Sequence, residues 1–123
     1  MRIALAVLML SFAFFACDPY SDSDLAGSWK ALQITEEGDS LAVDLSGIRF
    51  DFTDDGRYYF HSTLNYEEAG TYRLDGPYLF STDTTQDISR EKAVEILLLN
   101  MDSLQLRMQE LGKERIMLLK RSE

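Results

Sequence analysis

Alternating apolar and polar residues recur through most of the chain after Leu25, and this period of two is typical of strands with one buried face. Turn-forming pairs such as Asp55-Gly56 and Asp75-Gly76 separate the alternating segments, and both pairs favour tight hairpins. The pattern therefore predicts about eight strands. They cover residues 27–34, 48–52, 57–63, 70–74, 78–81, 93–99, 104–109 and 115–120.

The links between these strands are short, which predicts that strands adjacent in sequence pair as antiparallel neighbours in a meander. An open meander would leave two unpaired edges, whereas a closed sheet has none. We therefore predict an all-β fold, a small up-and-down barrel, with a twisted sheet that keeps an open seam as the alternative. By periodicity, residues 93–99 fit a helix or a strand, residues 40–46 a ragged strand or a loop, and residues 82–90 a long loop or a short helical turn at Ile88.

Residues 1–16 differ from the rest of the chain. Arg2 is their only charged residue, and the segment from Ile3 to Ala16 is apolar except for Ser11. A membrane-spanning helix needs about 20 apolar residues, so this shorter run fits the apolar region of a signal peptide. The tetrapeptide Phe14-Phe15-Ala16-Cys17 resembles a bacterial lipobox, in which a small residue precedes the cysteine that receives lipid.

Cys17 is the only cysteine in the sequence, and lipid attachment explains a lone cysteine in an exported protein. We therefore predict a lipoprotein signal peptide in residues 1–16 and lipidation of Cys17. Acyl chains such as palmitate contribute about 0.8 kcal/mol per buried CH₂ group, and two chains suffice for stable membrane binding. The alternative is an uncleaved N-terminal anchor in which Cys17 has no role.

Residues 17–24 are polar and acidic, contain Pro19 and lack an apolar period, which predicts a flexible tether ahead of a domain in residues 25–121. The acidic residues resemble export signals that follow the lipidated cysteine in some Gram-negative surface lipoproteins. Asp18 alone resembles an inner-membrane retention signal of other Gram-negative bacteria. We expect a lipid-anchored protein of the cell envelope, at the outer membrane, and leave its periplasmic or surface face open.

Four motifs, spread over nearly all of the predicted mature chain, resemble those of a known protein family. They are Leu25-x-Gly27-x-Trp29, Phe50-x-Phe52-x-x-Asp55-Gly56-x-Tyr58, Gly70-x-Tyr72-x-Leu74 and Leu104-x-Leu106. Together they resemble the lipocalin-like domain of small lipoproteins from Gram-negative bacteria. The resemblance implies a barrel that binds an apolar or amphipathic small molecule.

Composition and motifs argue against several other function classes. The formal charge of −9 repels phosphate backbones, so we expect no nucleic-acid partner. His61 is the only histidine, and no nucleophile motif, phosphate-binding glycine loop or EF-hand spacing accompanies it. Zinc needs three or four ligands, which one histidine with dispersed acids does not supply. We therefore expect no enzymatic activity, no cofactor and no metal site.

Aromatic residues that share strand faces form the candidate binding site. With the one histidine, the candidate ligand-lining residues are Trp29, Phe50, Phe52, Tyr58, Phe60, His61 and Tyr72. In an eight-stranded barrel such residues either line a cavity for one small ligand or fill the interior, and short strands favour filling. Two functions stay open: binding of a small molecule inside the barrel, and an envelope scaffold with a filled interior that binds another protein or a glycan.

Overall fold

The computed structural model describes residues 19–85 and 87–122, in which one helical turn is followed by nine strands. The predicted signal peptide (residues 1–16) and Cys17 lie outside the described residues. The elements are α1 (Asp22–Leu25), β1 (Gly27–Glu36), β2 (Asp39–Ser40), β3 (Arg49–Phe52), β4 (Arg57–His61), β5 (Glu67–Asp75), β6 (Tyr78–Asp83), β7 (Glu91–Leu99), β8 (Ser103–Glu110) and β9 (Lys113–Ser122).

The strands form one antiparallel sheet that closes on itself. β1 pairs with β3, β3 to β9 pair in chain order, and β9 returns to pair with β1 from Ser28↔Ser122 to Glu36↔Arg115. β2 pairs with the end of β1, so eight strands form the barrel wall. The predicted closed up-and-down barrel is confirmed. The open seam does not form because β1 and β9 each pair with the edge that the other would expose.

The three segments with open alternatives are now assigned. The apolar run at residues 93–99 lies in β7, because its backbone pairs with β6 on one side and β8 on the other. The ragged strand considered for residues 40–46 is reduced to the last residue of β2. The following residues are irregular, and Leu41 and Leu45 pack against the core. The described part of residues 84–90 consists of bends and irregular backbone rather than a helical turn.

The two ends of the barrel differ. At the closed end, where β1 begins and β9 ends, α1 covers the interior and buries Leu25 completely. Trp29 has 0% exposure, and its indole N–H donates a 2.9 Å hydrogen bond to the Leu25 carbonyl. Leu104 and Leu119 face each other across β8 and β9 in the same layer and are also fully buried. At the opposite end, which we call the open end, β1 ends and β9 begins.

The helical turn overlaps the segment predicted as a tether. The Asp24 carboxylate accepts a 2.9 Å hydrogen bond from the backbone N–H of Ser21, which fixes the start of α1. The last residues of the predicted tether therefore belong to the turn that covers the closed end. No helix among the described residues is long and apolar enough to span a membrane.

Two bulges change the side-chain alternation along the wall. The β1–β9 register shifts between Ala31 and Gln33, so Ala31 and Ile34 are both buried while Leu32 is exposed. The β7–β8 register shifts between Ile96 and Leu98, and Leu98 is exposed for the same reason. One extra residue in a strand reverses the faces of those that follow it. The bulge in β1 consequently returns Ile34 to the interior, and the bulge in β7 places Leu98 on the outer wall.

Candidate functional site

The open half of the barrel encloses a cavity of about 350 Å³. Its walls come from β3 to β9 and from the turn between β4 and β5. The lining residues are Phe50, Phe52, Tyr58, Phe60, Tyr66, Glu68, Leu79, Ser81, Lys92, Ala93, Val94, Leu106, Met108, Gln109, Glu110 and Met117. Exposed members of this set, among them Tyr66, Lys92 and Glu110, form the rim at the open end.

Aromatic rings from β3 and β4 form one wall of the cavity. Strand alternation directs Phe50 and Phe52 inward from β3, and Tyr58 and Phe60 inward from the paired strand β4. The rings of Phe50 and Phe60 lie 4.6 Å apart between centres, and those of Phe50 and Phe52 stack at 5.7 Å. These rings pack mainly on one another, so they present a continuous apolar surface to the cavity.

A carboxylate and two phenols form the polar part of the site near the rim. The Tyr58 hydroxyl donates a 2.7 Å hydrogen bond to Oε2 of Glu68, and the Tyr66 hydroxyl donates one of 3.3 Å to Oε1. Lys92 Nζ lies 3.7 Å from the same Oε1. Burial, followed by the hydrogen bond to Glu68, raises the pKa of Tyr58, so this phenol stays protonated and donates.

A second carboxyl group lies beside Glu68. Asp83, at the end of β6, is buried and accepts hydrogen bonds from the backbone N–H and the hydroxyl of Thr85. The bond from the Thr85 hydroxyl is the largest influence that lowers the pKa of Asp83, the Thr85 N–H and the charge of Lys92 lower it further, and burial opposes them. The rim therefore holds an ionised Asp83 next to Glu68, with Lys92 as the nearby cation.

The structure brings together four of the seven predicted lining residues: Phe50, Phe52, Tyr58 and Phe60 all face the cavity. The other three lie elsewhere. Trp29 fills the closed end, as described above.

Tyr72 and His61 are also away from the cavity lining. The ring of Tyr72 packs edge-on against that of Phe52, with ring centres 5.3 Å apart. The Tyr72 hydroxyl donates a hydrogen bond to the Thr53 carbonyl on the side of the closed end. His61 lies on the outer wall, where Nδ1 is 3.4 Å from Glu67 Oε1 and Nε2 is 3.9 Å from Asp51 Oδ2. Among residues 19–85 and 87–122, no three His, Cys, Asp or Glu side chains are grouped to hold a metal ion.

The expectation that side chains fill the interior holds at the closed end but not at the open end. The inward position Ser81 there carries only a small side chain. Lys92 also faces this half, but its side chain is 67% exposed because the ammonium group reaches the rim. Space in the open half therefore remains unoccupied by side chains.

The sequence analysis missed the polar members of the site. Glu68 shares the parity of Gly70 and Tyr72, so alternation along β5 already places it on the inner face. The strand was predicted to begin only at Gly70, which left Glu68 outside it. Lys92 on β7 and Ser81 on β6 are cross-strand partners. They could be assigned to one site only once the pairing of β6 with β7 was known.

A second depression, of about 560 Å³, lies on the surface at the closed end. Ser23, Asp24, Leu99, Asn100, Met101 and Arg121 line it. The Arg121 guanidinium is already bound to three backbone carbonyls there. This depression offers no free charged group and no buried apolar wall, so the open-end cavity is the stronger candidate.

Comparison with known proteins supports the fold. The chain is similar to a lipocalin-like protein from Bacteroides uniformis, with a TM-score of 0.61 and 18% identity, over 80% of this chain and 99% of that one. It is also similar to an uncharacterized protein from Bacteroides eggerthii, with a TM-score of 0.57 and 14% identity, over 79% and 98% of the two chains. No protein-family model and no curated protein matches the sequence. The fold is thus a lipocalin-like β-barrel.

Proposed function

We propose that this lipocalin-like barrel binds one apolar or amphipathic small molecule in the open-end cavity and catalyses no reaction. The observation that carries the proposal is the cavity itself, whose volume of about 350 Å³ lies within the roughly 300–1,000 Å³ of small-molecule sites. Its walls are apolar and aromatic, and Tyr58, Tyr66 and Lys92 converge on Glu68 near the rim. An amphipathic ligand fits this division, with its apolar part inside and its polar end at the open end.

A neutral fluorescent probe tests the proposal. N-phenyl-1-naphthylamine, whose emission rises in apolar surroundings, should become brighter with the protein and should saturate. Ser81→Phe places a ring in the cavity and should abolish the increase, since Ser81 faces inward. Thr82→Phe adds the same ring to the neighbouring position, whose side chain faces the outer wall, and should leave binding intact.

A second variant separates loss of the cavity from loss of folding. Met108→Trp fills the cavity from β8, on a different part of the wall. Circular dichroism and thermal unfolding should show that each variant compared is folded. Probe binding that persists in folded Ser81→Phe and Met108→Trp proteins, or that is absent from the parent protein, would overturn the proposal.

We also propose that the protein is a lipoprotein of the cell envelope, anchored at the outer membrane through lipid on Cys17. The leader and the lipobox-like tetrapeptide support this, and so does the position of α1. The described chain enters the domain at the closed end, so an anchor on Cys17 leaves the open end accessible to a ligand. Cys17→Ala should leave the precursor uncut or release the protein from membranes. Unchanged processing and membrane retention in fractionated cells would contradict the anchor.

An interaction with another envelope protein or a glycan is the second candidate, and one observation favours it. Leu32 and Leu98 are exposed on the outer wall, and the half-buried Leu118 lies on β9 between their strands. Together they place apolar surface on the part of the outer wall that runs from β7 to β1, which a partner can cover. A photo-crosslinker at Leu98 should capture a partner in intact cells if this wall is used, whereas one at the outward Thr71 should not.

A further inference from the structure

Charge is distributed unevenly around the cavity. The charged residues of its lining are Glu68, Glu110 and Lys92, and Asp83 lies beside Glu68. Within this set three carboxyl groups stand against one ammonium group, and the guanidinium of Arg115, on the strand position that pairs with Met108, is already paired with Glu36. A ligand with an anionic end would meet a surplus of like charge, whereas a cationic end would meet opposite charge.

Glu68 is the carboxylate best placed to meet a ligand inside the cavity. Its side chain is only 11% exposed, and it projects inward opposite Phe60 in the β4–β5 pairing. A carboxylate in such a site favours a cationic partner strongly, because removal from water weakens its hydration and strengthens the attraction.

The existing cation is held loosely. Lys92 Nζ lies 3.7 Å from Glu68 Oε1, which is beyond ordinary hydrogen-bond length, and the lysine side chain is 67% exposed. A pair at this distance lacks the short charge-assisted hydrogen bond that a ligand ammonium group inside the cavity can form with Glu68, so the ligand can displace the lysine. The freed lysine can then return to water.

Aromatic rings next to Glu68 offer further contacts to a cation. The rings of Phe60 and Tyr66 meet edge-on with centres 6.1 Å apart, and both line the cavity beside the carboxylate. Ring faces attract ammonium groups through their quadrupole, most strongly where water is excluded.

We propose that the cavity selects apolar ligands that carry an amino group, with the ammonium bound to Glu68 and the apolar part against Phe50 and Phe52. This inference rests on the proposed binding function. It adds the chemical class of the ligand, an amine with an apolar body, and assigns Glu68 as the residue that determines selectivity. Tyr58 and Tyr66 hold the carboxylate of Glu68 in place through their hydroxyl groups.

Displacement of N-phenyl-1-naphthylamine by three ligands of equal chain length tests the inference at neutral pH. Octylamine should displace the probe at a concentration about tenfold lower than octanol or octanoate, because only the ammonium group forms a hydrogen-bonded ion pair with Glu68. Glu68→Gln keeps the shape of the side chain and should bring octylamine close to octanol. Glu67→Gln is the matched control, since Glu67 faces outward with a side chain that is 74% exposed, and should leave the preference unchanged.

Lys92→Gln should change octylamine binding in the direction opposite to that of Glu68→Gln. It removes the competing ammonium and should improve octylamine binding by about threefold, in keeping with a long ion pair whose lysine is mostly exposed. Equal displacement by octylamine and octanol, or a preference for octanoate that Lys92→Gln abolishes, would overturn the amine selectivity while leaving the binding function in place. Failure of all three ligands and of the probe itself would overturn both.

Discussion

The guanidinium group of Arg121 lies 4.2 Å from the centre of the Trp29 ring. These two residues are cross-strand partners where β9 pairs with β1 at the closed end. The same group donates hydrogen bonds to the carbonyls of Met101 (2.7 Å), Ala26 (2.6 Å) and Asp24 (3.0 Å). One side chain thus ties the last strand, the β7–β8 turn and the helical turn to the buried tryptophan. These contacts stabilise closure of the barrel at the end away from the cavity.

Loss of this guanidinium should destabilise the protein. We expect Arg121→Gln to lower the free energy of unfolding by about 2–3 kcal/mol, from the cation–π contact together with the charged hydrogen bonds. Arg121→Lys should recover only part of the loss, since an ammonium group lacks the planar fork that reaches several carbonyls. Urea unfolding measures the stability of both variants. Lys120→Gln, at the exposed neighbouring position, should change stability little, and an equal effect of Lys120→Gln would contradict the assignment.

Gly70 is required by the close approach of β6. A Cβ at this position would lie 1.9 Å from the Thr82 carbonyl oxygen and 3.0 Å from the Tyr58 ring. The carbonyl belongs to the β5–β6 ladder and cannot move without breaking it, so Gly70→Ala should cost about 3 kcal/mol.

Gly38→Ala provides the comparison for Gly70→Ala. A Cβ at Gly38 meets nothing within 4 Å, and its φ of +87° adds only about 1 kcal/mol of backbone strain. Equal losses of stability in the two variants, measured by thermal or urea unfolding, would show that the steric argument is wrong.

Leu111 occupies a strained turn position with no compensating burial. Its φ is +52°, in the left-handed region, while its side chain is 94% exposed. Leu111→Asn places the residue preferred before Gly112 in a hairpin turn of this kind and should stabilise the protein by about 1 kcal/mol.

A second turn supplies the control for Leu111→Asn. Glu37 also has a positive φ, of 50°, but its Oε1 accepts a 2.8 Å hydrogen bond from the Glu114 N–H. Glu37→Asn relieves strain and loses that bond, so its gain in thermal stability should be smaller than that of Leu111→Asn. A larger gain at Glu37 would contradict the prediction.

Two buried tyrosines should make the fold sensitive to alkali. Burial, with smaller contributions from nearby aspartates, raises the pKa of Tyr72 to about 12, and burial also raises that of Tyr58. Unfolded tyrosine has a pKa of about 10, so the folded state retains protons that the unfolded state loses. Stability should therefore be fully present below about pH 10 and fall as pH rises from about 10 towards 12.

The urea midpoint followed across this pH range measures the effect. Tyr72→Phe and Tyr58→Phe should each reduce the fall, whereas Tyr59→Phe, on the exposed outer face, should not change it. A titration of tyrosinate absorbance should show the same two groups ionising late. An identical pH profile in all three variants would exclude the buried tyrosines as its cause.

Local pattern accounts for much of the fold and for part of the site. Alternation in β3 and β4 was sufficient to place Phe50, Phe52, Tyr58 and Phe60 on one face, and that face is the cavity wall. Alternation could not separate these rings from Trp29, which also points inward but lies at the other end. Position along the barrel axis depends on how every strand is staggered against its neighbours, and this is a property of the whole sheet.

The sequence by itself determined the eight strands of the barrel wall, their order, the tight turns and the inner face of most strands, because each depends on residues a few positions apart. Only the tertiary structure decided between a closed barrel with β1 paired to β9 and an open seam. It alone decided that bulges turn Ile34 inward and Leu98 outward, and that Glu68, Asp83 and Lys92 meet at one rim. It also decided that one half of the barrel is filled while the other half keeps a cavity. These features arise from contacts between residues distant in sequence, whose side-chain volumes and charges act on each other only after the sheet has closed.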